Sequence, residues 1–178
     1  MKVIALDIDG VLNSERWTQE RKARGIRTPF MEALVRPTVV NSLESLDQVA
    51  VLRLGRILEA TGAQILLSST WRMRGDDPRK MCNILRMAFS RLGVDDVKFI
   101  GHTPVSDELG LVRGLPRGEE IHTWLTEHPV DHLVILDDDT DMDPLREYWI
   151  QTHHEDGLQD CHVEQAIAML EKPFLLPR

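Results

Sequence analysis

Apolar runs and amphipathic stretches alternate along the chain. Runs of strand length fall at Val3 to Leu6, Ile65 to Leu67, Val97 to Ile100 and Leu133 to Leu136, with a weaker one at Tyr148 to Gln151. Helical spacing lies between and after them. Leu52, Ile57 and Leu58 form one such pattern before Gly62. Met81, Ile84, Leu85, Met87, Ala88 and Leu92 form a second, ending at Gly93. Ile121, Trp124 and Leu125 form a third, ending before Pro129, and Val163, Ala166, Ile167 and Leu170 a last one. Gly62 and Gly93 stand where helix C-caps are expected.

Strands alternating with helices predict an α/β protein, a three-layer doubly wound parallel sheet with right-handed crossovers. In such a sheet ligands bind at the carboxyl ends of the strands. Residues 14–46 break the rhythm: basic at first, they then carry Pro29 and Pro37. They are expected to form a flap or small lid on a single domain spanning residues 1–178.

Composition narrows the class. A hydrophobic share of 42% and a charged share of 28% suit a soluble globular protein. No apolar run is long enough to span a bilayer, and the N-terminus lacks the layout of a signal peptide. A cytoplasmic location without membrane association is the default expectation. Cys82 and Cys161 lack CxxC spacing and read as free thiols. The net charge of −8 opposes wholesale coating of nucleic acid, though not a local basic patch. Residues 16–27 hold five basic residues and one acid, and residues 71–80 hold four basic and two acidic.

Chemistry gathers just after the apolar runs. Asp7, Asp9 and Gly10 follow the first, in "VIALDIDGVLN". Ser68, Ser69, Thr70, Trp71 and Arg72 follow the second, and Asp137, Asp138, Asp139 and Asp141 the fourth. If the first and fourth strands are neighbours, their carboxylates meet. Like charges so close raise one another's pKa unless a cation joins them. Magnesium, which prefers oxygen ligands and phosphate, is the expected cofactor, with a phosphorylated substrate. His153, His154, Cys161 and His162 are also candidate ligands, but their spacing fits no common zinc pattern and reads as a polar loop.

The segments "DIDGVLN", "ILLSS" and "VILDDDTD" resemble the first, second and fourth motifs of the haloacid dehalogenase (HAD) superfamily of phosphotransferases. With "SSTWR" and "EIHTWL", the chain is similar to a small HAD group found in or beside RNA-repair proteins. The resemblance implies a Rossmann-like HAD core with a minimal cap and a phosphatase working through an aspartyl-phosphate. Asp7 would be the nucleophile and Asp9 the general acid, with Gly10 turning the chain away. Ser68 would bind a phosphoryl oxygen, Ser69 being its neighbour in register, and Arg72 would be free to fork onto a phosphate. Trp71 reads as packing. The superfamily usually places a lysine before the fourth strand; Arg117 is the natural match here, with Arg113 and Lys80 behind it. The metal would be held by Asp7, the Asp9 carbonyl, Asp137 and Asp138, or by Asp137 with Asp141. An open site and basic flanks suggest a nucleotide or a nucleic-acid terminal phosphate. A small sugar phosphate is an alternative, as is a non-catalytic or partner-dependent module that holds phosphorylated ends.

Overall fold

A computed structural model describes residues 1–25, 44–74, 77–104 and 114–177. Its centre is β1, Lys2–Leu6, whose last four residues are buried. Period-two alternation sends successive side chains to opposite faces. Ile4 and Leu6 enter one core and Val3 and Ala5 another. A strand buried on both faces needs cover on both, and helices supply it.

Five parallel strands run in the order β3-β2-β1-β4-β5. They are β1, β2 (Gln64–Leu67), β3 (Phe99–His102), β4 (His132–Asp137) and β5 (Trp149–Gln151). The helices in chain order are α1 (Glu15–Ala23), α2 (Gln48–Thr61), α3 (Pro78–Arg91), α4 (Arg117–Glu127) and α5 (Asp160–Met169). Buried residues of α2, α3 and α5 share the core of Ile4 and Leu6. Ile121, Trp124 and Leu125 of α4 cover Val3 and Ala5 on the other face. This is the expected three-layer parallel α/β sheet. Each fully buried Leu or Ile contributes about 2 kcal/mol, so the strands make a firm floor.

Register decides what happens at the strand ends. Leu6 pairs with Leu67 of β2 on one side and with Leu136 of β4 on the other. The next residues, Asp7, Ser68 and Asp137, therefore emerge side by side. The ladder continues across them: Asp7 N–H donates to the Leu136 carbonyl at 3.0 Å and Ser68 N–H to the Leu6 carbonyl at 2.9 Å.

Local signals explain most element ends. Asp47 caps α2 by accepting from Val49 N–H at 2.9 Å, and Gly62, with φ of 65°, closes it in the left-handed conformation. Asp77 caps α3, where Pro78 fills the first turn. Two elements depart from expectation. The third strand lies at Phe99–His102 rather than Val97 to Ile100, and it carries a bulge at Ile100: Ile65 pairs with Phe99, but Leu66 pairs with Gly101. Within the expected flap, Glu15–Ala23 is a helix, capped by the Ser14 hydroxyl at 3.2 Å from Trp17 N–H. Its only buried residue is an arginine, Arg21, so no apolar period marks it. The rest of that flap from 26 to 43 lies outside the described residues. Among the described residues, no helix is long and apolar enough to cross a membrane.

Candidate active site

Three acids converge where β1 and β4 end. One carboxylate oxygen from each of Asp7, Asp137 and Asp138 lies within 4.8 Å of the others. Asp7 is 5% exposed and Asp137 is fully buried. Asp137 Oδ1 accepts from Asp139 N–H at 3.0 Å, and its carbonyl accepts from Trp149 Nε1 at 3.0 Å and Thr152 N–H at 3.1 Å. Asp7 Oδ1, Asp137 Oδ2 and the buried Ser68 Oγ have no hydrogen-bond partner. Buried polar atoms are normally satisfied. Three of them at the ends of neighbouring strands mark a place where a ligand completes the site. An all-oxygen set containing three carboxylates suits a hard divalent cation.

Electrostatics point the same way. Burial pushes the Asp137 carboxyl up to about 8, helped by the Asp7 charge and only partly offset by Arg117. Burial also raises Asp7 to about 6, against the pull of Arg117, the Ser69 hydroxyl and the Ile8 N–H. Asp138 is raised as well, by burial and then by Asp139. Without a cation, these groups favour their protonated forms. Both quoted values exceed the ordinary 3.8, so between about pH 4 and about pH 8 the folded chain binds protons that the unfolded chain does not. Stability of the metal-free protein should therefore fall as pH rises through this window. A divalent cation should stabilise increasingly over the same range. Thermal unfolding with Mg²⁺ and with EDTA, below pH about 5 and above pH about 8, checks this. A Mg²⁺ effect that shrinks with rising pH would contradict it.

Asp9 is held apart from that group. Its carboxylate accepts from Asn13 Nδ2 at 2.7 Å and from Trp71 Nε1, which reaches both oxygens at 2.9 Å. Arg74 approaches at 3.5 Å while its guanidinium lies over the Trp71 ring, 3.8 Å from the centroid. Trp71 is thus buried packing, as expected, but its N–H also aims an acid. Sequence reasoning misses Asn13, Trp71 and Arg74 in this role; the brevity of "SSTWRMR" after β2 is the available clue.

Gly10 turns the chain with φ of +71°. Its carbonyl accepts from the buried Thr152 hydroxyl at 2.9 Å, tying the turn to the end of β5. A Cβ here would fall deep inside the Asp138 carboxylate. Gly10→Ala should cost about 1–2 kcal/mol in denaturant unfolding through the left-handed backbone alone. It should also displace Asp138 and weaken Mg²⁺ binding at least tenfold by calorimetry, a loss of about 1.4 kcal/mol or more.

The cationic wall comes from α4. Arg117, nearly buried, sets Nε 3.4 Å from Asp137 Oδ2, close enough for an ion pair but not aligned as a hydrogen bond. Its Nη1 lies 3.4 Å from Glu120 Oε2. Glu120 in turn takes Arg72 Nη2 at 2.7 Å, and Arg72 Nη1 donates to the Ser69 carbonyl at 2.8 Å. A buried chain Arg72–Glu120–Arg117–Asp137 thus links the ends of β2 and β4 through α4. Arg72, expected to fork onto a phosphate, joins this chain through its Nη atoms and keeps its buried Nε without a partner. Asp141 caps α4, accepting from Arg117 N–H at 2.9 Å, so its carboxylate serves a helix end. Gly118 is required next to it, since a Cβ would strike the Met142 and Asp143 backbone.

The two serines after β2 divide their tasks. The Ser69 hydroxyl caps the Thr70–Met73 turn at 3.3 Å from Trp71 N–H and lowers the Asp7 pKa against the effect of burial. Ser68 keeps its hydroxyl free beside Asp7. Lys80 is exposed on α3, and Arg113 lies outside the described residues. In the His-Cys stretch, His162 Nδ1 accepts from Gln159 N–H at 3.0 Å and caps α5. Among the described residues, the acids at Asp7, Asp137 and Asp138 form the group able to hold a metal.

A parallel sheet ordered 3-2-1-4-5, with paired acids after β1, a free hydroxyl after β2, a cation heading α4 and two acids after β4, is a HAD core. The family described as the HAD domain in Swiss Army Knife RNA repair proteins matches residues 3–163, and the chain belongs to it. No curated protein matches the chain.

Proposed function

We propose that the protein is a Mg²⁺-dependent phosphomonoesterase acting through an aspartyl-phosphate on Asp7, with a nucleotide or nucleic-acid terminal phosphate as substrate. One observation carries this reading. Asp7 and Asp137, each with a buried carboxylate oxygen that lacks a partner, cluster with half-buried Asp138, while Asp9, two residues on, is held separately by Asn13 and Trp71 N–H groups with Arg74 at 3.5 Å. Asp7, the Asp9 carbonyl, Asp137 and Asp138 would hold Mg²⁺, which neutralises charge on phosphoryl oxygens.

Asp7 attacks phosphorus and the bond to the leaving oxygen breaks. Asp9 gives that oxygen a proton. Asp9 then takes a proton from the water that cleaves the aspartyl-phosphate, and phosphate leaves. Ser68 Oγ, with no other partner, donates to a phosphoryl oxygen. Arg117 offsets charge on the same group from the β4 side, the electrostatic support that dominates phosphoryl transfer.

Release of phosphate from p-nitrophenyl phosphate is expected with added Mg²⁺ and is expected to stop with EDTA. Binding of phosphorylated oligonucleotides without any release would instead identify a non-catalytic end-binding module.

A further inference from the structure

In phosphoryl transfer the attacking and leaving oxygens stand roughly in line across phosphorus. With Asp7 as nucleophile, the leaving group lies on the far side, within hydrogen-bond reach of Asp9. That requirement selects a particular space. A cleft of about 610 Å³ has Asp9 and Gly10, but not Asp7, on its wall. Its other walls are α1 and the Thr70–Met73 turn with Arg74. The volume suits a ligand of nucleotide size.

Its charged lining is unusual for a chain of net charge −8. Arg21, Lys22 and Arg74 line it, against Asp9 and Glu15. Arg21 is 2% exposed, yet its Nη2 has no hydrogen-bond partner among the described residues. Glu44 attracts it without satisfying that atom. A buried guanidinium with an idle donor lacks an acceptor that belongs there. Arg74 is also nearly buried and lies over one face of the Trp71 ring. The cleft offers an anion the idle Arg21 donor, Lys22 and Arg74, the last standing 3.5 Å from Asp9, and guanidinium matches phosphate oxygens.

We infer that this cleft receives the leaving alcohol, and that Arg21 and Arg74 there bind a second phosphate carried by that alcohol. The inference rests on the phosphatase reading for the direction of the leaving group. The substrate class is then a phosphomonoester whose alcohol bears another phosphate, either on the same nucleoside or as the next phosphodiester of a strand. Base identity should matter little.

Asp7→Asn protein with Mg²⁺ allows binding to be measured by calorimetry without turnover. Adenosine 3′,5′-bisphosphate and a dinucleotide 3′-phosphate are compared with adenosine 3′-monophosphate. A second phosphate should tighten binding about tenfold or more. Both probes carry the second phosphate on the 5′-oxygen of the nucleoside that holds the 3′-phosphate; a larger advantage for the bisphosphate assigns the site to a terminal phosphate, and an equal or larger one for the dinucleotide assigns it to the phosphodiester of a strand. In Arg21→Gln and Arg74→Lys backgrounds the advantage should shrink to about threefold or less. No advantage in the parent, or an undiminished one in both variants, overturns the inference. The parent comparison stands even if Arg21→Gln fails to fold. Loss of p-nitrophenyl phosphate turnover in the wild type with the binding preference intact would sink the phosphatase reading while leaving the anion site.

Discussion

Asp7→Asn protein should release phosphate at least about a thousandfold more slowly than wild type, because an amide provides no anionic nucleophile. The same change should not unfold the protein. Asp7 sits at the end of a strand fixed on both sides by backbone ladders, and those bonds do not involve its side chain. Its carboxylate is instead a source of strain: it is nearly buried, and its charge helps hold the Asp137 carboxyl up near 8. Asparagine removes one of two like charges. In EDTA the variant should therefore melt higher than wild type, with the difference growing as pH rises toward about 8. A phosphate-release assay and thermal unfolding check the two halves. A variant that is both inactive and destabilised in EDTA would argue that Asp7 is an ordinary structural acid.

Arg117→Ala should produce the largest loss of stability. It removes the cation from between fully buried Asp137 and nearly buried Glu120. Above pH about 8, where Asp137 is charged, breaking one partner out of this buried ionic network costs about 3 kcal/mol or more, and below it less. Glu120 keeps Arg72 at 2.7 Å, so the main casualty is Asp137. Saturating Mg²⁺ should recover part of the loss, since a cation at the carboxylates substitutes for the missing charge. Arg117→Lys should fall between wild type and alanine: it retains charge but cannot reach Glu120 and Asp137 with separate nitrogens. Denaturant unfolding with and without Mg²⁺ measures this series. An alanine variant as stable as wild type above pH about 8, where Asp137 is charged, would mean that Asp137 does not depend on Arg117.

The parts of the site carried by strands are legible in the sequence. A strand buried on both faces shows as an unbroken apolar run, and the residue after it is the one delivered to the ligand edge. Asp7, Ser68 and Asp137 stand out in that way, and the register that levels Leu6, Leu67 and Leu136 brings them together. What the sequence hides depends on contacts between distant segments. Nothing local says that Trp71 Nε1 reaches Asp9, 62 residues away, or that Glu120 takes Arg72 from 48 residues away. Helix α1 is hidden for a different reason: it buries a charged residue instead of an apolar stripe. The third strand runs past its apolar residues into Gly101 and His102, and its bulge at Ile100 leaves no mark in the apolar pattern. The Arg72–Glu120 pair is likewise a contact that charge alone does not announce.

Passage of phosphate through the Asp7 carboxylate underlies every step proposed for this site. Acid-quenching wild-type protein during turnover of p-nitrophenyl phosphate with Mg²⁺, then mapping phosphate onto peptides by mass spectrometry, looks for that intermediate itself. Phosphate is expected on the peptide containing Asp7, absent in EDTA and absent from Asp7→Asn. Turnover with that peptide unmodified, or with modification that persists in Asp7→Asn, would contradict a role for Asp7 as nucleophile.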